Sequence, residues 1–365
     1  MRVKLEDVCE RGTSSLMQKD IVDKNGKYPV YGASGRIGSM ETYQQEHQTV
    51  AVVKDGAGIG RTMLLPEKSS IIGTMQYLIP KNCIEPEYLY YAVKYMHLEK
   101  YFSGATIPHI YFRDYKTEEF NLHNKTEQQE IISTLKRVEA VISNRREQLA
   151  MLDELVKARF VEMFGDPKLN PYRFPCNSLS TYITFLTSGS RGWSQYFTDS
   201  GEYFITIKNV KNCKITLQDV QYVAPPDNAE AKRTKVQKND LLISITADLG
   251  RTGVVTEEIA NHGAYINQHL TCIRLKDEQV NPLYVAYYME SDAGKEQFTA
   301  KNQSAVKAGL NFNAINSLKL MAPPLSLQNQ FADFVAEVDK SKADVQKALD
   351  QTQLLFDSLM QQYFG

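Results

Sequence analysis

The chain of 365 residues has no apolar run approaching the ~20 residues that a membrane-spanning helix needs. Its first residues, Met1-Arg2-Val3-Lys4-Leu5-Glu6-Asp7, also lack the hydrophobic core of a signal peptide. A soluble, cytoplasmic protein without a membrane partner is predicted. Cysteine is scarce: Cys9, Cys83, Cys176, Cys213 and Cys272 are scattered, odd in number and without Cys-x-x-Cys spacing. That pattern argues against a disulfide framework or a zinc site and fits small buried apolar residues. The six histidines are dispersed with no two on one helix face, so no metal site is expected. Basic excess is missing too, with a formal net charge of -1, although an autonomous nucleic-acid binder usually carries one. Residues 1–122 hold 15 basic and 15 acidic side chains, and residues 173–322 hold 16 and 14. A polyanion would have to be met by local basic surface or with a partner's help.

Catalytic signatures are also absent. There is no P-loop, no HExxH, and no Asn/Asp-Pro-Pro-Tyr/Phe segment of the kind that holds an extruded adenine. The proline pairs, Ala224-Pro225-Pro226-Asp227 and Ala322-Pro323-Pro324-Leu325, read as connectors. Gly56-Ala57-Gly58-Ile59-Gly60 follows an expected strand and could approach a nucleotide or S-adenosylmethionine. Its counterpart, Ala247-Asp248-Leu249-Gly250-Arg251-Thr252, keeps only the Gly-Arg-Thr of Gly60-Arg61-Thr62, which favours a tight strand-to-strand turn over a cofactor loop. Neither a catalytic residue nor a bound cofactor is expected in this chain.

What the sequence does have is itself, twice. At a fixed offset of 200, Phe164-Gly165 recurs as Phe364-Gly365, Leu155 as Leu355, Leu149 as Leu349, Val138 as Val338, Gln128 as Gln328 and Phe112 as Phe312. Pro86-x-Tyr88-x-x-Tyr91 is echoed by Pro282-x-Tyr284-x-x-Tyr287. Such self-similarity marks duplicated modules, each a globular part followed by a helix. The predicted divisions are 1–122, 123–165, 166–324 and 325–365.

Residues 126–164 predict one helix, with Ile131, Leu135, Val138, Ile142, Leu149, Leu152, Val156, Phe160 and Met163 at helical spacing, interrupted at Arg145. Thr126 with Gln129 is the expected capping box, and Gly165-Asp166-Pro167 the stop. The second helix follows Ala322-Pro323-Pro324, with Ser326 and Asn329 as its expected cap. Each would be roughly 58 Å long at about 1.5 Å per residue. Helices of that length need partners for their apolar stripes. A short linker near 166–174 makes the two antiparallel, around a pseudo-two-fold axis.

Both globular parts read as mixed α and β, placing the chain in the α+β class. Strands are expected at 49–53, 70–72, 241–245 and 252–255, and helices at 87–101 and 282–298. The segments 11–48 and 185–235 are unlike each other, so a shared scaffold carries different surfaces. Candidate recognition residues are Tyr31, Ser34, Arg36, Lys54, Arg61, His109, Tyr111 and Arg113 in the first part. In the second they are Ser190, Arg191, Trp193, Lys208, Asn209, Lys211, Arg251, Gln268, Gln303, Lys307 and Asn311. Arg, Lys, Asn and Gln suit base edges, and Ser and backbone amides suit phosphates. Arg61 and Arg251 occupy equivalent turns, where a guanidinium bridges phosphate or guanine, or pairs with a domain carboxylate.

Across its whole length the chain resembles the specificity subunits of type I restriction-modification systems. The resemblance rests on Tyr28-Pro29-Val30-Tyr31-Gly32, Thr126-Glu127-Gln128-Gln129-Glu130-Ile131-Ile132, Arg159-Phe160-Val161-Glu162-Met163-Phe164-Gly165-Asp166, the 189–197 loop and Ile266-Asn267-Gln268-His269-Leu270. It implies two target-recognition domains separated by a long antiparallel two-helix coiled coil, without catalytic activity. It also implies partners: double-stranded DNA, two modification subunits that methylate adenine with S-adenosylmethionine, and restriction subunits that use ATP and Mg. A coiled-coil scaffold whose heads bind proteins is the competing expectation.

Overall fold

The computed structural model describes residues 1–21, 26–104, 108–302 and 309–365. They form two compact units: Met1–Gln148 with Val345–Gly365, and Leu149–Asp344. This division cuts both long helices part-way along instead of setting them apart from the globular parts.

In the first unit an antiparallel sheet has the order Cys9–Thr13, Met75–Pro80, Thr49–Val53, Thr62–Leu65. All five residues of Thr49–Val53 are buried. The helix Pro86–Tyr95 packs against this strand, and Ala51 and Val53 also join Leu65, Ile71, Met75 and Tyr77 in a core towards the smaller sheet. A strand covered on both faces loses the alternation of a half-buried one. The smaller sheet comprises Gly35–Met40, Tyr28–Gly32 and Ser70–Ile71.

The second unit repeats this plan with Ile183–Ser188, Leu270–Leu275, Leu241–Ser244 and Thr252–Val254, again with a fully buried inner strand at Leu241–Ser244. Its other four-stranded sheet, Phe197–Thr198, Gln221–Val223, Glu202–Ile205 and Ala264–Ile266, has no counterpart of equal size among the described residues of the first unit.

Two expected helices are shorter than the sequence suggests. The first ends at Tyr95, and His97 takes φ 50° before a 3-10 turn at Leu98–Tyr101. The second breaks at Ser291, whose Oγ donates to the Tyr288 carbonyl (2.6 Å) and accepts from Gly294 N (3.4 Å), opening a new helix at Asp292–Lys301. A serine that serves both the end of one helix and the start of the next favours the break.

The long helices span Lys125–Phe164 and Leu325–Phe364, 40 residues each. The first is capped two residues before the expected box. Asn124 Oδ1 accepts from Glu127 N (3.0 Å) and Glu127 Oε2 from Asn124 N (3.1 Å), because Asn is a stronger cap than Thr. The second begins directly after Pro324, so Ser326 lies inside the first turn. Asn329 turns outward to accept from Asn281 Nδ2 (2.9 Å) rather than closing a cap.

The paired glutamines are fully buried in both copies. Gln128 accepts from Glu85 N (2.8 Å) and donates to the Cys83 and His123 carbonyls. Gln328 accepts from Asn281 N (2.9 Å) and donates to the Pro323 carbonyl (2.7 Å). Each fastens the start of a long helix to the short helix of its own globular part.

The far ends are fastened crosswise. Phe364 packs on Tyr88 (5.0 Å between centroids) in the first unit, and Phe164 on Tyr284 (4.7 Å) in the second. Within the second unit Asp153 pairs with Lys342 and Phe160 packs on Phe331, so the helical segments there run antiparallel.

Candidate nucleic-acid interface

In the first unit three segments converge at the end of the buried strand Thr49–Val53. Ile110 N donates to the Lys54 carbonyl (2.9 Å) and Gly56 N to the Pro108 carbonyl (3.0 Å), so residues 108–113 run beside the turn at 54–61. Asp55 pairs with Lys54 at 3.0 Å and lies 2.7 Å from His109 Nδ1. Arg61 Nη1 donates to the Ala33 carbonyl (2.8 Å), joining the turn to the hairpin in which Tyr31 pairs with Arg36. His109 stacks on Tyr111, and the Arg113 guanidinium lies 4.9 Å from the Tyr111 centroid. The predicted residues Tyr31, Ser34, Arg36, Lys54, Arg61, His109, Tyr111 and Arg113 thus share one neighbourhood, with Ser34, Arg36, Arg61, Tyr111 and Arg113 exposed.

The same frame recurs in the second unit. Leu310 N donates to the Ile245 carbonyl (2.9 Å), placing 309–311 beside the turn at 245–251. Asn311 caps the helix Phe312–Asn316 through Ala314 N (2.8 Å). Arg251 does not reach across as Arg61 does; its Nε donates to Asp248 Oδ2 (2.5 Å) on its own turn. Arg191 Nε donates to Gln268 Oε1 (2.5 Å), while Ser190 N donates to the Ile266 carbonyl (2.8 Å) and Gln268 N to the Ser190 carbonyl (2.9 Å). Gly189 makes this approach possible, since a Cβ there would lie 2.1 Å from the Asn267 carbonyl oxygen.

Three predicted residues face inward instead. Trp193 is buried, stacked on Phe204 with Nε1 donating to Glu230 (3.0 Å), because its ring fills the core formed with Val223, Ala231 and Tyr265. Asn209 is buried and clamps its own loop through Thr206 N and the Thr216 carbonyl. The Ser190 hydroxyl is buried against Thr234 (3.0 Å). Lys208 and Lys211 are exposed, but no described hydrogen bond ties them to the Arg191 neighbourhood. Gln303 and Lys307 lie outside the described residues.

Sequence reading missed Asp55, Thr246, His269 and Arg233. Arg233 donates to the Ser188 carbonyl (2.7 Å) and to Thr187, beside Arg191; the run Lys232-Arg233-Thr234-Lys235 was its signal. Among the described residues no group of His, Cys, Asp and Glu could hold a metal, and no helix is long and apolar enough to cross a membrane. Burial pushes the Cys9 thiol up to about 12 and holds Cys213 and Cys272 well above the usual thiol range, the last helped by Asp240. None of the three is a thiolate nucleophile.

The family model described as the type I restriction modification DNA specificity domain matches residues 1–152 and 194–352, one stretch per repeat. The type I restriction enzyme EcoBI specificity subunit of Escherichia coli is 21% identical over 170 residues, covering 45% of this chain and 35% of that protein. The matched region therefore spans about a third of that relative's length. The crystal structure of a type I restriction-modification S subunit from M. genitalium aligns over 100% of this chain and 96% of its own, with TM-score 0.61 and 16% identity. A structure concerned with complex assembly and conformational transition of a type I R-M system aligns over 100% and 97%, with TM-score 0.59 and 16% identity. With both repeats matched, the chain belongs to the family of type I restriction-modification DNA specificity subunits.

Proposed function

We propose that this chain recognises double-stranded DNA without catalysing a reaction on it, each globular part reading one half of a bipartite, asymmetric site. The observation that carries this reading is the paired frame. Ile110 on Lys54 and Leu310 on Ile245 are equivalent contacts, yet outside the shared Gly-Arg-Thr the loops set beside them, 28–36 in one copy and 189–194 in the other, carry different side chains. A duplicated scaffold with unlike surfaces suits two unlike half-sites. The long helices, packed as an antiparallel coiled coil, act as the spacer that fixes the gap between the half-sites. Their exposed apolar side chains, among them Val141, Met151, Leu155, Leu354 and Leu355, offer docking surface to two modification subunits.

Those partners bind S-adenosylmethionine and methylate adenine, and restriction subunits using ATP and Mg cleave unmodified DNA; this chain holds none of these cofactors. Near-neutral charge fits a reader that shares its phosphate contacts with partners. The test is co-purification with the cognate methyltransferase subunit, followed by mapping of adenine methylation in genomic DNA with and without this chain. A split motif that depends on the chain is the expected result. A stable complex whose methylation pattern ignores it would favour the protein-binding scaffold.

A further inference from the structure

In the second unit a run of side-chain hydrogen bonds crosses the candidate interface from Arg191 to Thr246. Arg191 Nε donates to Gln268 Oε1 at 2.5 Å. Gln268 Nε2 lies 3.4 Å from His269 Nε2, and His269 Nδ1 lies 2.7 Å from Thr246 Oγ1. The donor and acceptor inventory allows one arrangement of protons along this run. The Gln268 oxygen is taken by the guanidinium, so its amide nitrogen faces His269 and needs an acceptor there. With His269 Nε2 accepting from that amide, its ring proton sits on Nδ1 and is given to the Thr246 oxygen. The hydroxyl proton of Thr246 is left over, and no described residue accepts it. Among the described residues, each end of the run therefore keeps an N–H or O–H that the run itself does not use. Arg191 is exposed and Thr246 half-buried. Arg233, fastened to the Ser188 carbonyl, adds a third donor at the Arg191 end.

Among the described residues of the first unit, no such run stands at the corresponding place. Strand Met75–Pro80 there plays the part of Leu270–Leu275, and the residues before it are Gly73-Thr74 where the second unit has Gln268-His269.

We propose that Gln268 and His269 are positioning residues that fix Arg191 and Thr246 as a pair of donors for an acceptor-rich feature of DNA. That feature is either a backbone phosphate or the N7/O6 edge of a guanine, both of which present only acceptors to such a pair. The inference rests on the DNA-reading function proposed above and assigns the second unit's half-site its hydrogen-bonding sense.

The test uses the full chain assembled with its methyltransferase subunits. A pool of randomised duplexes is selected on this complex, and affinity for a recovered duplex is read by fluorescence anisotropy. Arg191→Ala should weaken binding about 5- to 150-fold, and Gln268→Leu about tenfold. The double variant should be no weaker than Arg191→Ala alone, because the glutamine acts through the arginine. Equal loss on every duplex with a shallower salt slope assigns a phosphate; loss confined to recovered sequences assigns a guanine. Additive losses, or variants that bind like wild type, overturn the proposal. If wild type binds no duplex at all, the DNA-reading function fails instead. Unchanged thermal unfolding certifies each variant. Should Gln268→Leu unfold, Arg191→Ala and Thr246→Val must each weaken binding, and the proposal fails if either does not.

Discussion

Arg61 and Arg251 show how equivalent residues acquire different surroundings. The two lie on matching turns, but Arg61 reaches to Ala33 while Arg251 pairs with Asp248 three residues away. An exposed i,i+3 ion pair contributes little to stability, so Arg251 can exchange that partner for a nucleic acid at small cost. Alanine at either position should weaken specific DNA binding by about 1–3 kcal/mol where the side chain reads guanine, measured by competition between cognate and unrelated duplexes. The buried glutamines are a contrasting case. Gln128→Leu leaves the Glu85 N–H and the Cys83 and His123 carbonyls without their buried partner, which should cost about 2–4 kcal/mol in chemical denaturation. The match of Gln128 with Gln328 was legible in the sequence. Its purpose was not, because Glu85 and Asn281 lie more than forty positions away.

At the scale of elements, the strand-turn-strand unit ends on a glycine in both copies. Gly60 has φ 80° and Gly250 φ 81°, and a Cβ on Gly250 would lie 2.4 Å from the Phe298 ring. Gly250→Ala combines left-handed strain with a clash against a buried aromatic, so a loss of about 2–4 kcal/mol is expected in thermal unfolding. Gly56 has φ 87° and open space around it, so an alanine there meets strain without the clash and should cost less. The shared Gly-Arg-Thr was enough to recognise a turn in both copies. Helix ends were harder to place: Asn124 outcompeted Thr126 as a cap, and Ser291 split a helix that apolar spacing alone carries through. Periodicity reports which face is buried and says nothing of where backbone groups find a better partner.

At the scale of the molecule, duplication made the architecture readable, because matched positions confirm one another. The buried strands Thr49–Val53 and Leu241–Ser244 stood out by their apolar runs at 50–53 and 241–243. The candidate interface was partly legible: arginine and glycine in surface loops marked its segments. Trp193 misled because an aromatic in a polar loop looks the same in sequence whether it fills a core or faces solvent. Asp55, Thr246 and His269 escaped because their role comes from neighbours across the fold.

The crosswise fastening of the helix ends bears on how the protein is made. The first unit is assembled from Met1–Gln148 and Val345–Gly365, so during synthesis its opening portion waits with Tyr88 uncovered while nearly two hundred further residues emerge. The second unit is continuous in the chain and can close as soon as it leaves the ribosome. A variant truncated after Asp344 should therefore keep residues 149–344 resistant to limited proteolysis while residues 1–148 become susceptible. Cleavage of both at equal rates would contradict this. Of the two units, the one whose chain begins earlier is thus the one that closes later.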